Sequence, residues 1–351
     1  MYLSGNLVNN KIIINKQKDS GKLYSRSQFG IQKSQHIIEL DLIEGVFLLG
    51  EKKIKVFKNK KAIDFQTLFL FASQQIPELE IKYLIYKDLR NKGIALKFNS
   101  SAKQFTFTIK QKIDLKNRKK TYICGFSERD MCSISKTISL LKKTAEETSN
   151  LWYAIVDEEG DITYYDVSLQ DMRGSVAQHK YSKGQAVLLK NRVVIFKKDL
   201  ATSLFEKEFY GKPFGDGLQL SLVEGLYLHK KKVIDLHSTD NKKLTHTQLY
   251  KPILKLQPDI KKRLMVFSDL KQKGLIVKTG FKFGVHFRAY IKPPDKTHAE
   301  YLVHVVDVDF TSIWAEMSRA VRLAHSVNKE ILFAQISNKK ISYVKFGRLR
   351  P

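Results

Sequence analysis

Tyr290 and His298 stand eight positions apart on either side of Pro293 and Pro294, and Lys329 follows His298 by thirty-one. A phenol, an imidazole and an ammonium are the groups that phosphodiester transfer needs when no metal takes part. Cleaving RNA through its own 2′-hydroxyl requires a base for that hydroxyl, an acid for the leaving 5′-oxygen, and positive charge on the phosphorane. His298 suits the acid, because an imidazole of ordinary pKa about 6.5 holds a proton yet releases it near neutrality. A tyrosine, with an ordinary pKa of about 10, serves as base only where cations lower it; Lys329 supplies such charge and can meet the non-bridging oxygens. Taken singly, each residue has an ordinary role: a half-buried strand tyrosine, an exposed loop histidine, a lysine complementing a helix dipole. The sequence has no carboxylate cluster and no His-x-x-x-His pair, so neither a metal nor a cofactor is expected.

The chain supplies its own comparison, because it is written twice. Leu42–Val56 lines up with Leu222–Leu236 at an offset of 180, Tyr86–Ile94 with Phe267–Leu275 at 181, and Trp152–Val167 with Leu332–Phe346 at about 180. Three matches in one order at a near-constant offset indicate tandem duplication of a whole unit. The rhythm of "QFTFTIK" against "HFRAYIK" pairs Thr108 with Tyr290, puts His298 near Lys119, and pairs Ser149 with Lys329. Gly93/Gly274 and Asp88/Asp269 agree between copies. Residues needed only for folding should survive in both copies, so a trio present in one alone points to function.

The elements that must position the trio follow from periodicity. Alternation predicts strands at Asn10–Lys16 and Asn191–Lys197, then at Phe105–Ile109 and Phe281–Ile291. Helices are expected around 65–75 and 249–255, the latter weakened by Pro252, and over 81–91 and 261–272, with Gly93 and Gly274 as stops. Ile313, Met317, Ala320, Val321, Ala324 and Val327 make an apolar stripe at helical spacing. Residues 168–185 are polar and unpatterned and read as a linker between a first unit, 1–167, and a second, 186–351, which divides near 275.

Charge narrows the partners. With 62 Lys and Arg against 35 Asp and Glu in 351 residues, a formal charge of +27 attracts polyanions such as RNA or DNA, or an anionic membrane. No apolar run approaches the roughly 20 residues of a membrane helix, and the N-terminus lacks signal-peptide order. No membrane association and a cytoplasmic location are therefore expected. Cys124 and Cys132 are too few for a disulfide framework and read as free thiols.

The segments "GFKFGVHFRAY", "HAEYLV" and "RAVRLAHSVNKEILFA", ending in "YVKFGRLRP", resemble the catalytic unit of archaeal tRNA-splicing endonucleases. The resemblance covers most of Val187–Pro351 and extends more weakly over the first unit. It implies a mixed α/β fold of two tandem repeats, each a small N-terminal α/β part followed by a restriction-endonuclease-like part. It also implies cleavage of precursor tRNA at a bulge-helix-bulge, leaving a 2′,3′-cyclic phosphate and a 5′-hydroxyl. Tyr290 would be the base, His298 the acid and Lys329 the transition-state cation. Family members grip a flipped bulge base between two arginines, which Arg322 and Arg348 match, with Arg350 as the alternative to Arg348. If the helix persists from Arg322 to Lys329, the two share a face.

Where the second unit has "SNKK", the first has "VDEEGD", placing Asp157, Glu158, Glu159 and Asp161 at an expected hairpin tip. Such a tip is ordinary turn chemistry. The resemblance implies that it docks into a basic cleft of a second copy, giving a homodimer. Two other classes compete with an endonuclease: a non-catalytic RNA-binding or structural subunit, against which the trio argues, and a metal-dependent DNA nuclease, whose acidic ligands are missing.

Overall fold

A buried glutamate organises the start of each copy. In the computed structural model, which describes residues 3–15, 20–25, 27–34, 37–99, 104–110, 120–295 and 297–351, the helices Leu42–Gly50 and Leu222–Lys230 carry Glu44 and Glu224 in their first turns. Glu44 accepts the Asp41 and Gly30 N–H groups at 3.1 and 3.0 Å, and Glu224 those of Ser221 and Gly211 at 2.9 and 2.8 Å. Each carboxylate thus caps its helix and ties it to the preceding turn. Six strands form the first N-terminal layer and five the second. Both include the expected early strands, over Lys11–Asn15 and Arg192–Ile195. Lys16 and Lys119 lie outside the described residues.

The C-terminal halves share a single sheet of ten strands. From one edge these are Ile276–Thr279, Phe287–Tyr290, Tyr301–Val306, Glu330–Ser337, Lys340–Leu349, Ile162–Leu169, Asn150–Val156, Thr121–Ser127, Phe107–Ile109 and Leu96–Phe98. The copies meet at its centre, where Lys340–Leu349 runs antiparallel to Ile162–Leu169 with Arg348 opposite Tyr165 and Phe346 opposite Val167. Each half repeats the other in reverse order about that pair.

On one face the helices Ile134–Glu146 and Trp314–Ser326 close a core common to both copies. Trp314 is its hub: it stacks on Tyr165 and meets Tyr153 and Phe346 edge-on. Its helix receives its first hydrogen bonds from the other copy, the Trp314 and Ala315 N–H groups donating to the Asp130 and Glu128 carbonyls at 3.2 Å each. The strands Met131–Ser133 and Thr311–Ile313 also pair across the copies. On the opposite face Leu79–Asn91 and Ile260–Gln272 pack separately. There the Tyr164 hydroxyl donates to Asp88 and the Tyr343 hydroxyl to Asp269, both at 2.7 Å.

Two expected elements differ, and the helix around Pro252 is present. Phe281–Ile291 is not one strand: Phe281–Phe283 turns as a 3-10 segment, Gly284 bends at φ 67, and the strand is only Phe287–Tyr290. The helix His246–Leu256 accommodates Pro252 within it; its Thr245 cap accepts the Gln248 N–H, and Leu249 and Ile253 bury its apolar side. The stripe helix spans only Trp314–Ser326, leaving Ile313 in the strand pair and Val327 beyond the end. Cys124 and Cys132 are free, and burial pushes both thiols up to about 12. Among the described residues no helix is long and apolar enough to cross a membrane.

His286 is held neutral beneath the sheet. Its Nδ1 accepts the Val305 N–H at 3.0 Å and its Nε2 lies 3.4 Å from Asp259, with the His304 ring centroid at 4.7 Å. Burial, reinforced by His304 and Arg263 and opposed by Asp259, lowers it to about 4. The unfolded chain takes up a proton below its ordinary pKa of about 6.5, while the folded chain does not until near 4, so stability falls as pH drops through that window. Urea denaturation should therefore show about 2 kcal/mol less stability at pH 5 than at pH 7 from this residue. His286→Asn, which keeps an acceptor for Val305, should lose that part of the dependence; an unchanged pH dependence would refute the assignment.

Candidate active site

Strand register gathers the candidate residues at one end of the sheet. Ala289 lies opposite Tyr301, Tyr301 beside Glu330, and Leu332 opposite Lys345. Continued past these pairs, the register sets Tyr290 opposite Glu300, Glu300 beside Lys329, and Lys329 opposite Arg348. Side chains alternate along strands, so all four lie on the face that carries the helix Trp314–Ser326. Neighbouring strands are about 4.8 Å apart, which separates the Tyr290 and Lys329 backbones by roughly 10 Å. His298 is exposed on the loop that enters the strand between them.

Tyr290 is 7% exposed and packs with Ile276, Ala299, Val176 and Phe209. The Arg288 guanidinium, two residues earlier on the same face, stands 5.9 Å from its ring centroid. Lys329 owes its place to a helix stop: Asn328 turns left-handed at φ 53, and the Lys329 N–H closes on the Ala324 carbonyl at 2.9 Å. Its Nζ donates to the Val327 carbonyl at 3.1 Å and lies 5.7 Å from the Phe283 ring centroid. The first copy repeats this stop, with Thr148 at φ 50 and the Ser149 N–H on the Thr144 carbonyl at 2.8 Å. The stop is common to both copies; the ammonium is not.

Two expectations about spacing are corrected. Thr108 is not the counterpart of Tyr290. Phe107 pairs with Ile123 as Phe287 pairs with Val303, so the offset here is 180 and Lys110 takes the tyrosine's place. Lys110 donates to the Gln28 carbonyl at 2.8 Å and lies 3.9 Å from Glu44. The counterpart of Lys329 is Ser149, as expected. Nor do Arg322 and Lys329 share a helical face, because the helix ends at Ser326.

Arg322 and Arg348 nevertheless converge. Both are exposed and both exert their charge on the phenol of Tyr165, which burial otherwise pushes up. That hydroxyl donates to Ser318, one helical turn before Arg322, and Tyr165 itself sits opposite Arg348 in the ladder. The arginines thus flank the seam between the copies, next to Lys329.

At the acidic tip the four carboxylates have different surroundings. Asp157 accepts the Glu159 and Asp161 N–H groups at 3.1 and 2.8 Å and so builds the turn, while Gly160 takes φ 87. Glu158 pairs with Arg129. Glu159 and Asp161 are exposed, and their side chains make no ion pair or hydrogen bond to another side chain among the described residues.

Sequence reasoning missed Arg288, Glu300 and the segment carrying Val176. Arg288 was legible as the same-face neighbour of Tyr290. Glu300 follows His298 by two, but its meaning depends on which strands adjoin. Among the described residues no group of three or more His, Cys, Asp or Glu side chains is placed to hold a metal ion.

The profile described as the N-terminal domain of tRNA intron endonuclease matches residues 3–69 and 184–250, and that of the catalytic C-terminal domain matches 79–164 and 260–343. A tRNA-splicing endonuclease of Methanococcoides burtonii is 35% identical over 350 residues, 98% of this chain and 99% of its own. One from Methanosarcina barkeri is 30% identical over 334 residues, 94% of this chain and 95% of its own. One from Methanothermobacter thermautotrophicus is 35% identical over 162 residues, which is 45% of this chain but 94% of the relative, a protein of one unit's size. The chain belongs to the tRNA intron endonuclease family, as an endonuclease built of two tandem units.

Proposed function

We propose that the chain cuts intron-containing precursor tRNA at the bulges of a bulge-helix-bulge, by attack of the RNA's own 2′-hydroxyl. The observation that carries this reading is the row of Tyr290, Lys329 and Arg348 on one face and one end of the sheet, with His298 on the loop entering between them. The relatives' name, tRNA-splicing endonuclease, supports the substrate. Tyr290 takes the proton of the 2′-hydroxyl, whose oxygen bonds to phosphorus. The bond to the 5′-oxygen breaks, and His298 gives that oxygen a proton. Lys329 stabilises the charge gathered on the non-bridging oxygens. Arg322 and Arg348 grip an unstacked bulge base between planar guanidinium groups, which stack on bases as lysine cannot. The products are a 2′,3′-cyclic phosphate and a 5′-hydroxyl.

The chain acts as a homodimer in this reading. Glu159 and Asp161 face outward on a protein of net charge +27, and so supply the negative charge for docking into a basic cleft of the second copy.

Cleavage of a bulge-helix-bulge RNA should persist in excess EDTA and yield the two predicted end groups. Activity that vanished with chelation and returned with magnesium would sink the mechanism. His298→Ala should slow the chemical step by ~10²–10⁴ with RNA affinity nearly unchanged; a parallel loss of binding would make His298 a contact residue. Arg322→Ala should weaken engagement of the bulge by about 1–3 kcal/mol, and Arg322→Lys should not restore it. Sedimentation of Glu159→Gln with Asp161→Asn should show dissociation while the far-UV circular dichroism of the folded chain stays that of the parent. Asp157→Ala instead removes two hydrogen bonds from the turn and should cost about 1 kcal/mol of stability. A double variant that stayed dimeric would move docking to another surface.

A further inference from the structure

Residues 170–183 have no regular secondary structure, yet they are fastened to the second unit along their length. Asp171 reaches Lys273 at 2.8 Å, and Met172 is buried in the second unit's core. The Gly174 and Val176 N–H groups donate to the Lys273 and Gly274 carbonyls at 2.9 and 3.0 Å. A Cβ on Gly174 would lie 2.1 Å from the Gly274 oxygen, so two backbones meet here with no room for a side chain. At the far end the buried Glu208, itself paired with Lys271 at 3.0 Å, accepts the His179 N–H at 3.0 Å and the Tyr181 hydroxyl at 2.9 Å.

The middle of this strap touches the candidate base. Val176 packs in the cluster around Tyr290, and Ser175 donates to the Ile291 carbonyl twice, from its N–H and its hydroxyl, both at 3.0 Å. From the other side Glu300 accepts the Ile291 N–H at 2.8 Å. Both polar groups of the residue after Tyr290 are therefore held, one by the strap and one by a carboxylate at the head of the next strand. The first copy shows the alternative. Among the described residues, the matching groove beside Gly93, Ile94, Ile109 and Lys110 has a cavity of about 580 Å³, Lys120 stands at the place of Glu300, and Lys110 stands at the place of Tyr290.

We infer that the strap is a part of the active site, with Ser175 and Glu300 as positioning residues that fix the two peptides flanking Ile291 and through them Tyr290. The inference rests on Tyr290 being the base proposed above. Near-attack geometry is sensitive to displacements of about 1 Å, for which losses of about 10²-fold are typical. Glu300 neutralises nothing in this role; it is an acceptor, and a glutamine oxygen can replace it.

The test uses single-turnover cleavage of a bulge-helix-bulge RNA by the full chain, with hydrogen exchange at the Ile291 amide. Glu300→Ala and Gly174→Val should each lower kcat by about 10–100-fold with KM within about twofold. Glu300→Gln should recover to within about threefold of the parent. Exchange at Ile291 should quicken in Glu300→Ala and not in Glu300→Gln. In Tyr290→Phe, adding Glu300→Ala should cause no further loss, because the carboxylate acts through the tyrosine. A Glu300→Gln variant as slow as Glu300→Ala, an additive double variant, or wild-type rates in both Glu300→Ala and Gly174→Val beside an inactive Tyr290→Phe would each overturn the inference. A fully active Tyr290→Phe would instead overturn the reading of Tyr290 as base, while Ile291 exchange still reports whether the clamp exists. Gly174→Val tests the strap through packing alone; if it fails to fold, Ser175→Ala, which removes one of the two bonds to Ile291, should give a smaller loss in kcat in the same direction, and a wild-type rate there would count against the strap.

Discussion

The antiparallel pairing of Ile162–Leu169 with Lys340–Leu349 is the interaction on which the rest of the molecule depends. A five-stranded sheet ending at either strand would expose a long, apolar-backed edge, which folded proteins cover or charge. Here each copy is the cover for the other. The pairing brings two helices to one face, and Trp314 then packs against Tyr153 and Tyr165 from the first copy and Phe346 from the second. Aromatic pairs of this kind each contribute about 0.5–1.5 kcal/mol beyond the area they bury. The same seam aligns Arg348 with Tyr165 and thereby sets one candidate base-gripping arginine beside the helix that carries the other.

Because the fold is doubled, structural and functional demands can be separated within one chain. What both copies keep is what the fold needs: the buried Glu44 and Glu224, the tyrosine hydroxyls on Asp88 and Asp269, and the left-handed helix stops before Ser149 and Lys329. What differs stands at the ends of the same strands. Lys110 against Tyr290 and Ser149 against Lys329 change the chemistry of a sheet end while the strand pairing stays the same. Lys110 is tied down by Gln28 and Glu44, so the first copy's cation belongs to the fold; burial lowers its pKa while Glu44 raises it.

Much of this was legible in the sequence, and the losses have physical reasons. Duplication, the helices ending at Gly93 and Gly274, the mixed α/β class and the contrast between copies all follow from local pattern. The pairing of Tyr290 with Thr108 failed by two residues. A slip of two preserves the in-and-out alternation of a strand, so periodicity cannot detect it; only the pairing of Phe107 with Ile123 and Phe287 with Val303 does. The shared face of Arg322 and Lys329 failed because the helix ends at Ser326, ahead of the left-handed turn at Asn328. Residues 168–185 looked empty because their partners, Lys273, Gly274, Ile291 and Glu208, lie far along the chain, and scattered anchors such as Met172 and Tyr181 among backbone bonds make no period to read.

The location of the candidate site follows from these same constraints. Mid-strand positions on a two-sided sheet are enclosed, and a polar group there must be satisfied internally. Strand ends have neighbours fixed by register and lie nearer solvent, so the exposed Arg348 and the half-buried Lys329 can meet a polyanion there at spacings set by about 4.8 Å steps, while Tyr290 stands at the buried end of the row. His298, the candidate acid, stands instead on an exposed loop whose reach is not set by strand register. A strand end also frays, since its last peptide has no further ladder bond. Tyr290 is the last residue of its strand, and Ile291 is the peptide that would fray. The chain holds both polar groups of this residue, the N–H with a carboxylate and the carbonyl with the segment joining its two units, which ties covalent fusion of the copies to the register of the candidate site.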